Sequence, residues 1–335
     1  MTIHWCGTGL SAVPGLRRLI EAKKDVCVWN RTVEKATEAV GDITDNIHAF
    51  DITTVGNVLA KGDVVVSMLP GDWHVPLAEL AISKGAHFVS SSYISPEMLA
   101  LDARAKEAGL CLVNEVGLDP GIDHLMAHLL TEDYRSSAAN LQGNILSFIS
   151  YCGGIPKIPN PFRYKFSWSP AGVLKALRSP SKSIRDFGIF DVSRPWDAIS
   201  SYDPNWKIKE FVRGTLRLNG WAEAWAPVFE ELKTLSGAEG DARIQEMSKN
   251  FWAENAYDEG EPDRVVLCVS LKAEKDDQSL WHKTYVMDAW GDDRGTAMAR
   301  LVSYPVSFAV EAVLDGLISS GVHAAPSDLT LAKAW

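Results

Sequence analysis

Over residues 1 to about 114 the hydrophobic positions fall in short apolar runs that alternate with helical patterns. The runs predict strands at Ile3–Cys6, Val26–Trp29, Ile47–Phe50, Val64–Met68, His87–Val89 and Leu110–Val113. Helices are predicted at Ala12–Ala22, Val33–Val40, Pro76–Lys84 and Pro96–Glu107, the last opened by Ser95 as N-cap ahead of Pro96. Strand and crossover helix in steady alternation give a doubly wound, parallel α/β half. After Asn114 a turn rich in Gly and Pro, Gly117-Leu118-Asp119-Pro120-Gly121, leads into an apolar helix around His124–Leu130. Strand candidates then recur without regular crossovers, at Ile145–Tyr151, Ser183–Asp191, Phe211–Leu218, Val265–Lys272 and Lys283–Ala289. Helical patterns at Trp221–Leu235 and Ala242–Asn255 interrupt them, which is an α+β pattern. Glu274-Lys275-Asp276-Asp277 reads as a solvated hairpin loop. A final helix, about Gly295 to Ile318, is expected to pack back on the first half. The domains read as 1–118 completed by 293–335, and 119–292 with a short helical insertion at about 221–256.

At roughly 150 residues per domain, 335 residues make about two domains, and 46% hydrophobic with 23% charged residues is globular composition. Disorder, collagen and coiled coil are excluded. A net charge of -10 advertises no basic surface, so no nucleic-acid partner is expected. Five cysteines without CxxC spacing indicate neither a disulfide framework nor a zinc or other metal site. No basic leader is read at the N-terminus, and no apolar stretch is read as reaching the roughly 18 residues of a membrane span. The expectation is a cytoplasmic protein with no membrane partner.

Gly7-Thr8-Gly9-Leu10-Ser11-Ala12 follows the first predicted strand and opens a helix with Pro14 in its first turn, the context that the G-x-G-x-x-G/A dinucleotide fingerprint requires. Glycines let the backbone approach a pyrophosphate, and the helix N-terminus supplies unpaired N–H groups. The second strand ends in Asn30-Arg31-Thr32, where an NAD enzyme would carry a carboxylate for the ribose hydroxyls. Arg31 can pair with a 2′-phosphate and Thr32 can donate to it, so NADP is favoured, with NAD as the alternative. Asp51 could accept from adenine or cap the next helix. Leu69, Pro70 and Ser91, in the loops after the fourth and fifth strands, are expected to wall the cofactor. His74, in the same stretch, reads as a hydrogen-bonded structural histidine.

Further blocks carry a resemblance. Val89-Ser90-Ser91-Ser92-Tyr93-Ile94-Ser95-Pro96, Asn114-Glu115-Val116-Gly117-Leu118-Asp119-Pro120-Gly121-Ile122-Asp123-His124, Ser150-Tyr151-Cys152-Gly153-Gly154, Tyr164-Lys165-Phe166-Ser167-Trp168-Ser169 and Arg213-Gly214-Thr215-Leu216-Arg217 stand in order along the chain. With Gly7-Thr8-Gly9, and with Ser303-Tyr304-Pro305 near the C-terminus, the chain resembles the L-glutamate-forming saccharopine dehydrogenase family. The resemblance implies a Rossmann domain closed by the C-terminal helix, a substrate domain with a mixed sheet, and oxidative cleavage of a secondary amine in lysine metabolism. It implies that Tyr93, Asp119 and Cys152 line the reacting site and that Gly153, Arg213, Thr215 and Arg217 bind substrate. Two departures stand out. Residues 221–256 are a reduced helical insertion, and Trp206 replaces an arginine expected to grip a carboxylate, with Lys207 or Arg194 as candidate substitutes.

Oxidising a secondary amine requires a base for the amine proton and a shuttle for the later hydrolysis. Asp119 could orient the amine and stabilise the iminium that develops, although an Asp at a helix start is equally an ordinary N-cap. His124 and Asp123, just beyond it, are shuttle candidates. Cys152 is read as a contact residue, because nicotinamide chemistry needs no covalent intermediate. Arg213 and Arg217, four apart on a predicted strand, would face one side and could fork onto carboxylates. The expected partner is a small amino-acid substrate, with a homodimer left open. The rivals are a lysine or opine-type dehydrogenase of the same fold and a non-catalytic dinucleotide sensor.

Overall fold

Every residue of β1 (Ile3–Cys6) and β4 (Val64–Ser67) is buried, as strands covered on both faces must be. In the computed structural model, which describes residues 1–178, 181–193, 206–258 and 260–335, these two strands are central neighbours. Ile3 lies opposite Val64 on one side and Val26 of β2 (Val26–Asn30) on the other. With β3 (Ile47–Ala49), β5 (His87–Ser90), β6 (Cys111–Val113) and β13 (Gly321–His323) they form a parallel sheet in the order β13-β6-β5-β4-β1-β2-β3. Without β13 this is the doubly wound order 3-2-1-4-5-6 of dinucleotide-binding folds. The crossovers are α1 (Val13–Glu21), α2 (Val33–Val40), α3 (Ile52–Val58), α4 (His74–Lys84), and the pair α5 (Pro96–Leu99) and α6 (Asp102–Ala108). Trp29, Val65, Leu77, Phe88, Met98 and Leu112 pack in the core they enclose.

The chain divides into two units, Met1–Leu125 with Asp293–Trp335, and Met126–Asp292. The first owes its closure to α11 (Ala297–Leu314), which packs on α1. A Cβ at Gly15 would stand 2.0 Å from the Ser303 carbonyl oxygen, and the Gly15 N–H donates to Ser303 Oγ at 2.8 Å. Only glycine permits that approach. Arg18 spans the same pair of helices, donating to Glu311 at 2.7 Å with its guanidinium over the Phe308 ring. Against the expectation of no such stretch, α11 is long and apolar enough to cross a membrane by length and composition, yet most of it is buried within this unit.

Other boundaries also differ from those expected. The helix predicted at 96–107 breaks at Ala100 and Leu101, where Leu101 turns into the core. The final helix ends at Leu314, beside Gly316 in the left-handed region, and the chain continues into β13 and α12 (Leu329–Ala334). Neither had been read, since three strand residues and six helical ones give too little periodicity.

The second unit holds a mixed sheet in the order β12-β11-β7-β10-β8-β9. β7 (Ile145–Gly154) runs parallel to β10 (Lys207–Thr215) and antiparallel to β11 (Arg264–Lys275). β12 (Gln278–Trp290) completes a hairpin with β11, and β8 (Ser181–Arg185) forms one with β9 (Gly188–Ser193). Both hairpins turn on two left-handed residues, Asp276-Asp277 and Asp186-Phe187, the geometry that matches strand twist. The first is the solvated loop read from the sequence. The second divides what had been read as one strand, Ser183–Asp191. Beside the sheet, α8 (Pro170–Arg178), α9 (Trp221–Thr234) and α10 (Gly237–Asn255) gather around Tyr164, Phe166, Trp225, Ile244 and Met247. α7 (Ile122–Arg135) begins in the first unit and runs into the second.

Candidate functional site

The glycine loop is built by close approach. Gly7 has φ +105°, its N–H donates to the Trp29 carbonyl at 2.7 Å, and a Cβ there would stand 2.8 Å from the Met68 carbonyl oxygen and 3.2 Å from Leu69 Cδ2. Gly9, by contrast, faces open space where a ligand can approach the backbone. Behind it α1 begins at Val13 with no side-chain cap; Pro14 carries no N–H and Gly15 donates to Ser303, so Val13 holds the first-turn N–H left for an anion. Thr8 Oγ1 is buried and has no partner among the described residues, while the Thr8 N–H donates to Asn30 Oδ1 at 3.2 Å. Leu10 is exposed beside it. An open glycine, an uncapped helix and an orphaned hydroxyl together fit a dinucleotide pyrophosphate.

The end of β2 fits the remainder of that cofactor. Asn30 Nδ2 donates to the Thr32 carbonyl at 2.8 Å, fixing the turn. Arg31 is exposed, and no ion pair or hydrogen bond of its side chain occurs among the described residues. Thr32 heads α2 without making a side-chain cap bond. A guanidinium and a hydroxyl that the fold leaves uncommitted are what a 2′-phosphate requires. Asp51 accepts from the Thr54 N–H at 2.9 Å and caps α3, which holds its carboxyl below the ordinary range. The cap is formed, and Asp51 stays exposed beyond β3. Pro70 opens a 3-10 turn, Gly71–Trp73, and Trp73 meets Phe50 edge-on at 5.1 Å.

The loops after β5 and β6 are laced together. His74 is buried, with Ser67 Oγ 2.8 Å from Nδ1 and Ser92 Oγ 2.7 Å from Nε2; burial depresses its pKa to about 4, so the ring is neutral at pH 7. Ser91 Oγ donates to Met68 Sδ at 3.9 Å. Glu115, a buried residue at φ +57°, accepts from the Ile94 N–H at 2.9 Å, while its own N–H donates to the Ser92 carbonyl. Glu115 thus ties the Tyr93 loop to the segment leading to Asp119. Tyr93 is exposed and Asp119 half-buried. The turn between Gly117 and Gly121 closes so tightly that a Cβ on Gly121 would stand 2.0 Å from the Gly117 oxygen. Asp123 accepts from the Gly121 N–H at 2.8 Å, and His124 lies between two carboxylates, 3.6 Å from Glu115 and 3.7 Å from Asp123. In the sequence Glu115 is one member of the Asn114–His124 string; the fold gives it the task of holding two loops together.

In the second unit Cys152 is buried in β7, in register with Thr215 at the end of β10. Gly153 serves a backbone contact: a Cβ there would stand 2.2 Å from the Leu216 carbonyl oxygen. Arg213 lies on β10 opposite Ser150, but β10 ends at Thr215, so Arg217 is not a strand residue and the same-face argument for the pair fails. Arg217 instead lies over the rings of Tyr164 (4.9 Å) and Trp221 (5.4 Å). Trp206 meets Tyr134 edge-on at 5.7 Å, beneath the Arg135 guanidinium. Lys207, next to Trp206, begins β10, eight residues before Thr215 and thus roughly 26 Å from it. Arg194 lies outside the described residues.

A parallel sheet with an uncapped helix, an open glycine and an orphaned threonine at its glycine loop, joined in one chain to a mixed-sheet unit, defines a nicotinamide-dinucleotide oxidoreductase of the two-unit kind. Residues 6–113 match the saccharopine dehydrogenase NADP binding domain, and residues 117–333 match the saccharopine dehydrogenase C-terminal domain. The chain belongs to the saccharopine dehydrogenase family. It is 28% identical to the saccharopine dehydrogenase [NADP(+), L-glutamate-forming] of Pyricularia oryzae, over 96% of this chain and 92% of the relative. The Saccharomyces cerevisiae counterpart is 29% identical over the same shares, 96% and 92%. The solved apo saccharopine dehydrogenase (L-Glu forming) from that yeast superposes with a TM-score of 0.78 at 26% identity, covering 99% of this chain and 96% of the other. The Pyricularia alignment runs over 418 positions against 335 residues here, so at least 83 positions of the relative (418 − 335) have no counterpart, in keeping with a reduced insertion.

Proposed function

We propose that this chain is an NADP-dependent saccharopine dehydrogenase of the L-glutamate-forming type. It cleaves the secondary amine of saccharopine to glutamate and 2-aminoadipate semialdehyde, or runs the reverse condensation and reduction. The observation that carries this reading is the likeness to L-glutamate-forming enzymes over nearly the whole of both chains. The uncommitted Arg31 and Thr32 support NADP as the coenzyme.

When bound, NADP supplies the hydride acceptor for the carbon that carries the amine. Gly7, Thr8, Gly9 and Leu10 would hold its pyrophosphate region and Asn30, Arg31 and Thr32 its adenosine end, with Leu69, Pro70 and Ser91 as walls. Asp119 takes the amine proton, so that the nitrogen carries its lone pair as the carbon is oxidised, and its charge favours the iminium that develops. Glu115 keeps the Tyr93 and Asp119 segments in fixed relation, and His124, held between Glu115 and Asp123, suits proton exchange during hydrolysis. Cys152, Arg213, Thr215 and Arg217 contact the substrate. Five free cysteines, four of them buried, support a reducing, cytoplasmic setting.

The test is absorbance of the reduced nicotinamide with saccharopine at mildly alkaline pH, NADP and NAD supplied separately. Turnover with NADP far above NAD is expected, and lysine in place of saccharopine gives none. Protein that binds NADPH yet oxidises no saccharopine overturns the reading.

A further inference from the structure

Gly7 stands between two peptide planes, and each plane is held at both ends. In the plane before it, the Cys6 carbonyl accepts from the Met68 N–H at 2.8 Å and the Gly7 N–H donates to the Trp29 carbonyl at 2.7 Å. These two bonds continue the strand ladder and involve main chain only. In the plane after it, the Gly7 carbonyl accepts from the Trp5 indole Nε1–H at 3.0 Å, and the Thr8 N–H donates to Asn30 Oδ1 at 3.2 Å. No backbone group serves either of these among the described residues, so the second plane is held by two side chains. Asn30 is itself fixed, its Nδ2 donating to the Thr32 carbonyl at 2.8 Å. Trp5 is wholly buried in the central strand, in register with Val28 on one side and Val66 on the other. A valine or leucine would suit such a strand as well. A buried indole, however, needs an acceptor for its N–H, and here the acceptor is the first carbonyl of the glycine loop.

We infer that Trp5 is a positioning residue for the coenzyme: with Asn30 it clamps the Gly7–Thr8 peptide and sets the glycine loop in its binding shape before the dinucleotide arrives. A peptide plane is rigid, so holding its oxygen on one side and its N–H on the other removes its rotation. Glycine adopts positive and negative φ alike, so the φ of +105° at Gly7 is set by the bonds on either side of it. A plane left to turn can aim its carbonyl oxygen at an anion, and the clamped plane cannot. The clamp also fixes the backbone of Thr8, whose covered hydroxyl has no partner among the described residues. Ordering that is complete in the unliganded chain is not subtracted from binding. This role rests on the reading of the glycine loop as the pyrophosphate site, and not on the identity of the substrate.

Two variants of the full chain test it: Trp5→Phe, and a chain carrying benzothienylalanine at position 5, which keeps the bicyclic ring and replaces the N–H by sulfur. The measurements are fluorescence titrations with NADPH and NADH, and amide hydrogen exchange of the unliganded chain read by mass spectrometry. Each variant should bind both coenzymes about fivefold more weakly, with equal losses because the two share the pyrophosphate. The segment from Gly7 to Ala12 should exchange faster than in the parent chain, while the benzothienylalanine chain melts within a few degrees of it. Equal coenzyme affinity in the parent and benzothienylalanine chains overturns the role, whatever Trp5→Phe does. A variant that melts lower yet binds both coenzymes as the parent does is only a less stable chain and overturns it too, as does unchanged exchange across the loop. A parent chain that binds no NADPH overturns the role together with the coenzyme reading. A parent chain that binds NADPH and oxidises no saccharopine removes the proposed function alone, and the titrations still decide the clamp.

Discussion

Arg31 separates coenzyme choice from stability more cleanly than any other position. Its side chain is exposed and bonds to nothing within the described residues, so Arg31→Ala removes no contact that the folded chain makes without a ligand. What it removes is a charge-assisted pairing with the 2′-phosphate, worth about 1.5–3 kcal/mol, or roughly 10- to 150-fold in Kd. Exposure and salt screening bring the figure to the lower end, so about tenfold is expected at physiological ionic strength and more at low salt. Fluorescence titration with NADPH and NADH in parallel measures it. NADPH affinity should fall about tenfold, NADH affinity should hold within about twofold, and the melting temperature should not move. Equal losses for the two coenzymes, or an NADPH loss below about twofold, would refute the argument, since neither outcome involves a 2′-phosphate.

Three other expectations concern structure and chemistry. Gly15→Ala forces a methyl to within 2.0 Å of the Ser303 carbonyl oxygen, so α1 and α11 must separate; urea denaturation should show a loss of about 3 kcal/mol, at the upper end of overpacking costs, and less than about 1 would contradict the packing. His74 has a folded pKa of about 4 against 6.5 unfolded, so the unfolded chain binds the extra proton first as pH falls. Its contribution, about 3 kcal/mol at most from that difference, is complete above pH 6.5 and is lost between pH 6.5 and 4; His74→Gln should flatten this part of the stability–pH curve measured by denaturation. Asp119→Asn should reduce kcat by two orders of magnitude or more with NADPH affinity unchanged, the usual reach of a positioned base, and stopped-flow turnover beside a coenzyme titration reads both.

The first half of the fold was readable because strands covered on both faces produce unbroken apolar runs, as Val64-Val65-Val66 does, and the glycine loop sits beside one of them. What failed to show depends on distance or on unusual turns. Gly15 is explained by Ser303, 288 positions away, and no local pattern announces that pairing. The β8–β9 hairpin turns on Asp186-Phe187 with no glycine to mark it, so two strands read as one. Arg217 was assigned to a strand that stops two residues earlier, which gave it the wrong neighbours and concealed Trp221. The glycine-loop and β2-end residues assigned to the cofactor stand on consecutive loops, and Asp51 caps the helix after the third strand, one of the two roles its position allowed.

The pairing of β13 with β6 has a consequence for the chain as it leaves the ribosome. Val113 ends β6 and Gly321 begins β13, an interval of 208 residues (321 − 113). At about 5–20 residues per second that interval lasts roughly 10–40 s. Throughout that time the nascent coenzyme-binding sheet has a bare edge at β6, and α1 has not met the helix that seats against Gly15. An entire second unit is synthesised in the meantime, so the first part made is among the last to be finished. A chaperone that shields open strand edges would have its longest engagement there, and a stalled ribosome would expose that edge to neighbouring chains.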